Sequence, residues 1–146
     1  EKRDGVKTNA GSLKDKNLSE MVIVTSKNHN NESLASLIDK INFKKVIIMG
    51  SIGCKIASIL RGDSDIYICL SLPGKSSPKD WDFAAPEAIL RSAGGEITSL
   101  DNKQLIYGNS NYEHGGVIVA SNSKNTHKDL CLEIKEILKK YKIYPL

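Results

Sequence analysis

Aromatic residues are scarce in this sequence, at 5%, and no apolar run approaches the roughly 18 residues that cross a membrane. No transmembrane span is therefore expected, and no stretch has the make-up of a signal peptide. The three cysteines, Cys54, Cys69 and Cys131, are an odd number in apolar settings. They are expected to be small buried thiols of a reducing cytosol, not a disulfide framework, and no Cys/His spacing fits zinc. A surplus of one charge sign is also missing: 21 Lys and Arg against 17 Asp and Glu leave a mild, dispersed +4. That balance does not point to a nucleic-acid polymer or a membrane surface as partner. Internal repeats and low-complexity segments are absent, as is any Ser-His-Asp or Cys-His set of the hydrolase kind.

What is present is globular. A content of 40% hydrophobic and 26% charged residues is too apolar and too nearly neutral for a disordered chain. A length of 146 residues suits one domain that owns a core. The chain opens on Glu1, within a polar stretch that has no core pattern. Residues 1–19 are expected to be a polar segment, a loop or the frayed end of a hairpin whose partner belongs to an N-terminal half. Residues 20–146 are expected to be the folded α/β domain.

Within that domain apolar patterns alternate between two periods. Met21 to Thr25 (MVIVT), Lys45 to Met49 (KVIIM), Ile66 to Leu70 (IYICL) and Val117 to Ala120 (VIVA) read as buried strands. Shorter strands are expected around Glu96–Leu100 and Leu105–Tyr107, with a turn at Asp101-Asn102. Leu34, Leu37, Ile38 and Ile41 share one helical face; so do Ile52, Ile56, Ile59 and Leu60, in a helix stopped by Gly62. Trp81 to Ala93 reads as a helix that is apolar almost all round, hence buried on most sides, and ended by Gly94-Gly95. A last helix runs from about Lys124 to Tyr141, with Lys135, Lys139 and Lys140 on its solvated face. Alternating strands and helices predict an α/β layered fold whose sheet is covered on both faces.

Four places carry residues with chemical potential. In Gly50-Ser51-Ile52-Gly53-Cys54-Lys55, Ser51 is a good N-cap. The free amides and positive dipole of the helix start could cradle a phosphate beside the charge of Lys55. The bland alternative is a capped helix with a surface lysine. The spacing is neither a Walker A loop nor a dinucleotide fingerprint. Asp82 follows Asp80 and Trp81 and precedes Pro86, which is tolerated only near a helix start. Asp82 is thus either an N-cap carboxylate or a metal ligand, with Trp81 excluding water. His29, in the loop Ser26-Lys27-Asn28-His29 after a strand, stands where α/β folds place ligand contacts, although a lone loop histidine is more often merely solvated. Glu87 and Arg91 are spaced as a helix-surface pair. His114 and His127 have no evident partners.

The stretch WDFAAPEAILRSAGGEIT closely resembles the C-terminal motif of the inositol monophosphatase superfamily, W-D-x-A-A followed by A-G-G and a strand. Just upstream, GSIGCKIASILRGDSDIYI looks like that family's Gly-Ser, Lys, Gly and Asp-x-Tyr segment. TSKNH resembles the Ser-Arg/Lys-x-His loop of the 3′(2′),5′-bisphosphate nucleotidase branch, the CysQ-type enzymes. The resemblance covers roughly residues 20–122. It implies the C-terminal half of a layered α-β-α-β sandwich of the sugar-phosphatase type.

The resemblance also implies roles. Asp82 matches a ligand of the catalytic Mg2+ pair. Ser51 and Lys55 match positions facing substrate phosphate or ribose, and His29 matches a substrate-contacting histidine. Two Mg2+ ions roughly 4 Å apart would activate a water and stabilise the leaving oxygen. The implied activity is removal of the 3′-phosphate from adenosine 3′,5′-bisphosphate, a by-product of sulfate assimilation, giving AMP in the cytoplasm. The alternatives are an inositol monophosphatase, a fructose-1,6-bisphosphatase, or a non-catalytic phosphate- or nucleotide-binding remnant. The implied partners are a phosphorylated nucleotide as small-molecule substrate, the N-terminal half of the same protein, and a second copy in a homodimer. Two departures stand out. The D-P-[IL]-D-G-T metal motif and the glutamate-rich helix of the family do not occur in these residues, so this chain alone is expected to be inactive. Where many nucleotidases carry Y-P-R, Tyr67 is followed by Ile68-Cys69, leaving Lys75 or Lys79 to supply the charge.

Overall fold

The computed structural model describes residues 2–3, 6–7, 16–26 and 31–146. Strands β1 (Lys2–Arg3) and β2 (Val6–Lys7) pair antiparallel as a short hairpin. A single 3-10 turn, Leu18–Glu20, leads into the main sheet. That sheet contains β3 (Val22–Thr25), β4 (Lys45–Ile48), β5 (Ile66–Ser71), β6 (Glu96–Ser99) and β7 (Gly116–Ser121) in the order β4-β3-β5-β7-β6. Strands β4, β3 and β5 run parallel, with Val24 opposite Ile47 and Tyr67. Strand β7 runs antiparallel to both β5 and β6.

Helices α1 (Glu32–Ile41) and α4 (Lys124–Lys140) cover one face. There Leu37, Ile134 and Leu138 meet Ile23, Ile68 and Val119 of the sheet. Helices α2 (Ile52–Arg61) and α3 (Asp80–Ser92) cover the other, where Ile56, Phe83 and Leu90 meet Val24, Tyr67 and Ile118. The α/β expectation thus holds as three layers, α-β-α. Most predicted elements are found within two residues of their expected bounds, because their apolar period and their caps agree. Asn31 and Ser51 cap α1 and α2 through their side chains, and Gly62 ends α2 at a φ of 81°. After α3, Gly95 is required by close approach. A Cβ there would lie 2.7 Å from the Ser121 carbonyl oxygen and 2.5 Å from Leu90 Cδ1.

Several expectations are corrected. Strand β4 is not buried: it is an edge strand, with Val46 42% and Ile48 53% exposed. Its apolar run matches that of a central strand, and only its place in the sheet differs. Helix α3 is not enclosed on most sides. Phe83, Glu87 and Leu90 are buried, while Trp81 is 68% and Ile89 55% exposed. Leu105–Tyr107 forms no strand. After the turn closed by Ser99 and Lys103 the segment leaves the sheet for α3, held by side-chain bonds to that helix in place of a backbone ladder. Of the three thiols only Cys131 is buried; Cys69 is half-buried, and Cys54 is exposed because it lies beside the buried Lys55–Ile56 stripe of α2.

Helix α4 is fastened to the sheet by a buried polar network. His127, 1% exposed, places Nε2 2.7 Å from Thr98 Oγ1 and Nδ1 2.7 Å from Ser121 Oγ. One ring nitrogen donates and the other accepts, and the hydroxyls rotate to suit. Cys131 Sγ lies 3.5 Å from Nε2. Burial, with a smaller push from the Arg91 charge, holds the His127 pKa down at about 4.

The sign of the consequence is fixed. Below the ordinary histidine pKa the unfolded chain takes up a proton that the folded chain refuses. The His127 contribution is therefore fully present above about pH 6.5 and is lost as the pH falls toward 4, by up to about 3 kcal/mol. We expect the stability difference between wild type and His127→Gln, from urea midpoints, to shrink across that window. A difference that stays flat between pH 7 and about pH 4.5 would exclude a neutral buried imidazole.

Candidate functional site

The parallel strands β3, β4 and β5 end on one side of the sheet, at Thr25, Ile48 and Ser71. Strand β6 also ends there, because β7 runs antiparallel to both β5 and β6. Carboxyl ends of parallel strands are where open α/β sheets bind ligands. Helix α2 begins just after β4, and α3 begins beyond the loop that follows β5, so both helix N-termini face this end. The helix dipoles favour negative charge at this end, and in α3 the Asp80 and Asp82 amides are already bonded to the Tyr112 and Lys79 carbonyls.

At the start of α2, Ser51 adopts a φ of 45°, the left-handed region that costs a non-glycine residue energy. Its Oγ accepts from the Cys54 amide at 3.0 Å. The hydroxyl proton has no acceptor among the described residues. Lys55 is not a surface lysine. It is 3% exposed, donates from Nζ to the Ser51 carbonyl oxygen at 3.2 Å and sits 5.3 Å from the centre of the Tyr67 ring. Burial pulls its pKa below that of an ordinary lysine, partly offset by Cys69 and Cys54. Burial likewise pushes up the Tyr67 hydroxyl and the Cys69 thiol.

Asp82 lies at the third position of α3, and Lys79 is the N-cap. Its Oδ2 accepts the Lys79 amide at 2.8 Å, so one oxygen does the work of a cap. The other, Oδ1, has no hydrogen-bond partner among the described residues. Pro86 lies in the second turn and has no N–H, so it cannot bond the Asp82 carbonyl in the usual helical way. The negative charge of Asp82 acts on Tyr67 and Cys69, and the positive charge of Lys55 acts on Cys69. Ser51 and Lys55 of α2 and Asp82 of α3 thus belong to the helix layer that packs against Tyr67 and Cys69 of β5. His29 lies outside the described residues. At the end of β3, Thr25 Oγ1 is buried without a partner among the described residues.

A hard cation prefers oxygen ligands, and Asp82 Oδ1 is such a donor. No group of three His, Cys, Asp or Glu side chains stands close enough to hold a metal ion among the described residues. Asp82 belongs to no such group among the described residues. Trp81 does not seal it from water, being exposed and tilted against Tyr112 at 6.2 Å between ring centres. The charge expected from Lys79 is already engaged with Glu113.

Some partnerships were not legible in the sequence. His114 pairs with Asp80, at 2.6 Å between Nε2 and Oδ1, across 34 residues with no periodicity to announce it. Glu87 and Arg91 do pair, at 2.9 Å, but not on the surface. Glu87 is 8% exposed and also accepts from Tyr107. Arg91 bonds Glu96 and the Ile97 carbonyl as well, which ties α3 to β6.

The sequence profile of the inositol monophosphatase family matches residues 3–139. Mouse 3′(2′),5′-bisphosphate nucleotidase 1 is 32% identical over 111 residues, covering 74% of this chain and 34% of that protein. The 3′(2′),5′-bisphosphate nucleotidase CysQ of Buchnera aphidicola is 34% identical over 86 residues, covering 59% of this chain and 30% of that protein. Among solved structures, inositol-monophosphate-bound SaIMPase-II superposes with a TM-score of 0.65 at 21% identity, over 90% of this chain and 47% of that one. Inositol monophosphatase from Anabaena gives 0.60 at 24%, over 84% and 46%. These likenesses establish the fold, and the chain spans about a third of the length of the curated relatives.

Lys55 gives a test of the site that needs no substrate. A buried ammonium with few partners is a cost to the fold. Lys55→Met keeps the stem and removes the charge, so the melting temperature should hold or rise, by about 1 kcal/mol in stability. A loss above about 2 kcal/mol would make the bond to the Ser51 carbonyl a structural strut instead.

Proposed function

The chain belongs to the inositol monophosphatase family, and from that premise we propose that it is the C-terminal half of a Mg2+-dependent phosphatase. Its substrate would be adenosine 3′,5′-bisphosphate, its product AMP, and its place the recycling of a by-product of sulfate assimilation. The observation that carries this reading is that α2 and α3 both start on the carboxyl-end side of the sheet. A carboxylate with a spare oxygen stands in the first turn of α3, and a buried ammonium in the first turns of α2. Anion-binding and cation-binding groups on one side of the sheet suit a phosphate ester held against a metal ion. The choice of substrate is supported by the nucleotidase names of the curated relatives.

Each residue has a task in this reading. Asp82 would offer Oδ1 to a Mg2+ ion while Oδ2 keeps its helix-capping bond, which fixes the carboxylate plane. Lys55 would attract the phosphate from behind the first turn of α2. Ser51 would turn its free hydroxyl proton toward a phosphate or ribose oxygen. His29, which follows β3 in the sequence, would contact substrate. Bound Mg2+ would polarise the ester and generate the attacking hydroxide from water. The remaining carboxylates would come from the N-terminal half.

That division has a direct consequence. Purified 1–146, given adenosine 3′,5′-bisphosphate and millimolar Mg2+, should release no phosphate above background. EDTA-sensitive turnover would show that the metal site is complete within this chain.

In the phosphatase that includes the N-terminal half, Asp82→Asn separates the two tasks of this side chain. An amide oxygen can still accept the Lys79 amide, and only the charge–dipole contribution of about 0.3–1 kcal/mol is lost, so the melting temperature should fall little. The same oxygen is a poor Mg2+ ligand. Loss of several kcal/mol of transition-state stabilisation should cut kcat by roughly a thousandfold. Retention of more than about a tenth of wild-type kcat, less than one 1.36 kcal/mol step, would reduce Asp82 to a cap.

A further inference from the structure

We infer that His114 is a positioning residue for Asp82, the key of a clamp that fixes the first turn of α3. The inference rests on the reading of Asp82 as a metal ligand. The chain between β6 and β7 folds back over the helix start and grips it at several points. Asp80, the first residue of α3, accepts from His114 Nε2 at 2.6 Å through Oδ1 and from the Gly108 amide at 2.8 Å through Oδ2. The Asp80 amide donates to the Tyr112 carbonyl at 2.9 Å, and the His114 amide donates to the Pro78 carbonyl at 2.8 Å. Lys79 and Glu113 form an isolated antiparallel bridge, reinforced by their ion pair.

The bridge matters because the Lys79 amide is the donor that orients Asp82 Oδ2. The strap therefore fixes the donor, and the donor fixes the carboxylate. His114 stands near the end of the strap, just before β7, and is 7% exposed. Its ring packs edge-on against Phe83, 5.5 Å between centres, and against Tyr107 at 5.2 Å. Phe83 is fully buried beneath the helix, next to Asp82. The ring thus joins the strap, the helix start and the core in one contact. Groups that orient a ligand without touching the metal are commonly worth 10–100-fold in metal affinity, about tenfold being the low end.

The test uses His114→Ala, His114→Gln and Asp80→Asn. Glutamine places an amide N–H where Nε2 stands, so it keeps the bond to Asp80 and loses the ring. In chain 1–146, amide exchange at Lys79 should quicken by at least about tenfold in His114→Ala and return toward wild type in His114→Gln. In the phosphatase that includes the N-terminal half, His114→Ala should raise the half-saturating Mg2+ concentration about tenfold, with KM for the nucleotide little changed. If His114→Ala does not fold, Asp80→Asn should shift both readouts in the same direction. A folded variant that leaves Lys79 exchange and Mg2+ dependence unchanged overturns the clamp, as does a failure of glutamine to restore them. Should the wild-type protein show no Mg2+-dependent hydrolysis at all, the phosphatase reading falls, and Lys79 exchange still decides the clamp.

Discussion

Strand β5 is paired on both edges, parallel to β3 and antiparallel to β7, and the rest of the domain depends on that double pairing. Apart from half-buried Cys69, its residues are buried on both faces. Ile68 and Leu70 point into the layer of α1 and α4, and Tyr67 into the layer of α2 and α3. A strand fixed on four sides can serve as the reference for a site. Tyr67 sets the floor beneath Lys55, and the chain leaving Ser71 loops directly to the start of α3. The change from parallel to antiparallel neighbours at β5 also puts the start of β7 beside the end of β5, Gly116 opposite Ser71. That juxtaposition brings the strap before β7 within reach of Asp80.

The electrostatics follow from this packing. Two helix N-termini at one end of the sheet create a positive region, and a buried ammonium deepens it. Such a place is unfavourable for a chain that has no anion to hold. The strained backbone of Ser51 and the desolvated Lys55 are both costs to the fold. Asp82 is the counterweight, and only half of it is used, since one oxygen caps the helix and the other is left over. By contrast, His127 is a buried polar group whose nitrogens are both matched by hydroxyls. It serves the fold alone, holding α4 to β6 and β7.

The exposed apolar residues are also consequences of position. Trp81 and Ile89 on α3 and Val46 and Ile48 on β4 face outward from the layers that β5 organises. Their chemistry resembles that of the core, so composition could not tell them from core residues.

The sequence by itself determined the alternation of strands and helices, the bounds of α1, α2 and α4, and the stops at Gly62 and Gly94-Gly95. These rest on apolar period and on caps, which act within a few residues. The local part of the site was legible for the same reason: Ser51 as a cap, Asp82 in a first helical turn, and the W-D and A-G-G pattern of the family. Tertiary structure decided the rest. Whether the apolar run of β4 is central or at an edge depends on strand order, which no local period encodes. Whether Lys55 is a surface or a buried charge depends on which side of α2 meets Tyr67. The partners of His114 and His127 lie on other elements, 34 residues away at Asp80 and 29 away at Thr98. Leu105–Tyr107 has a strand's composition but turns to α3, where the Tyr107 hydroxyl meets Glu87 and the Gly108 amide meets Asp80. Contacts of that range are fixed only when the layers close, which is why residue pattern alone could not name them.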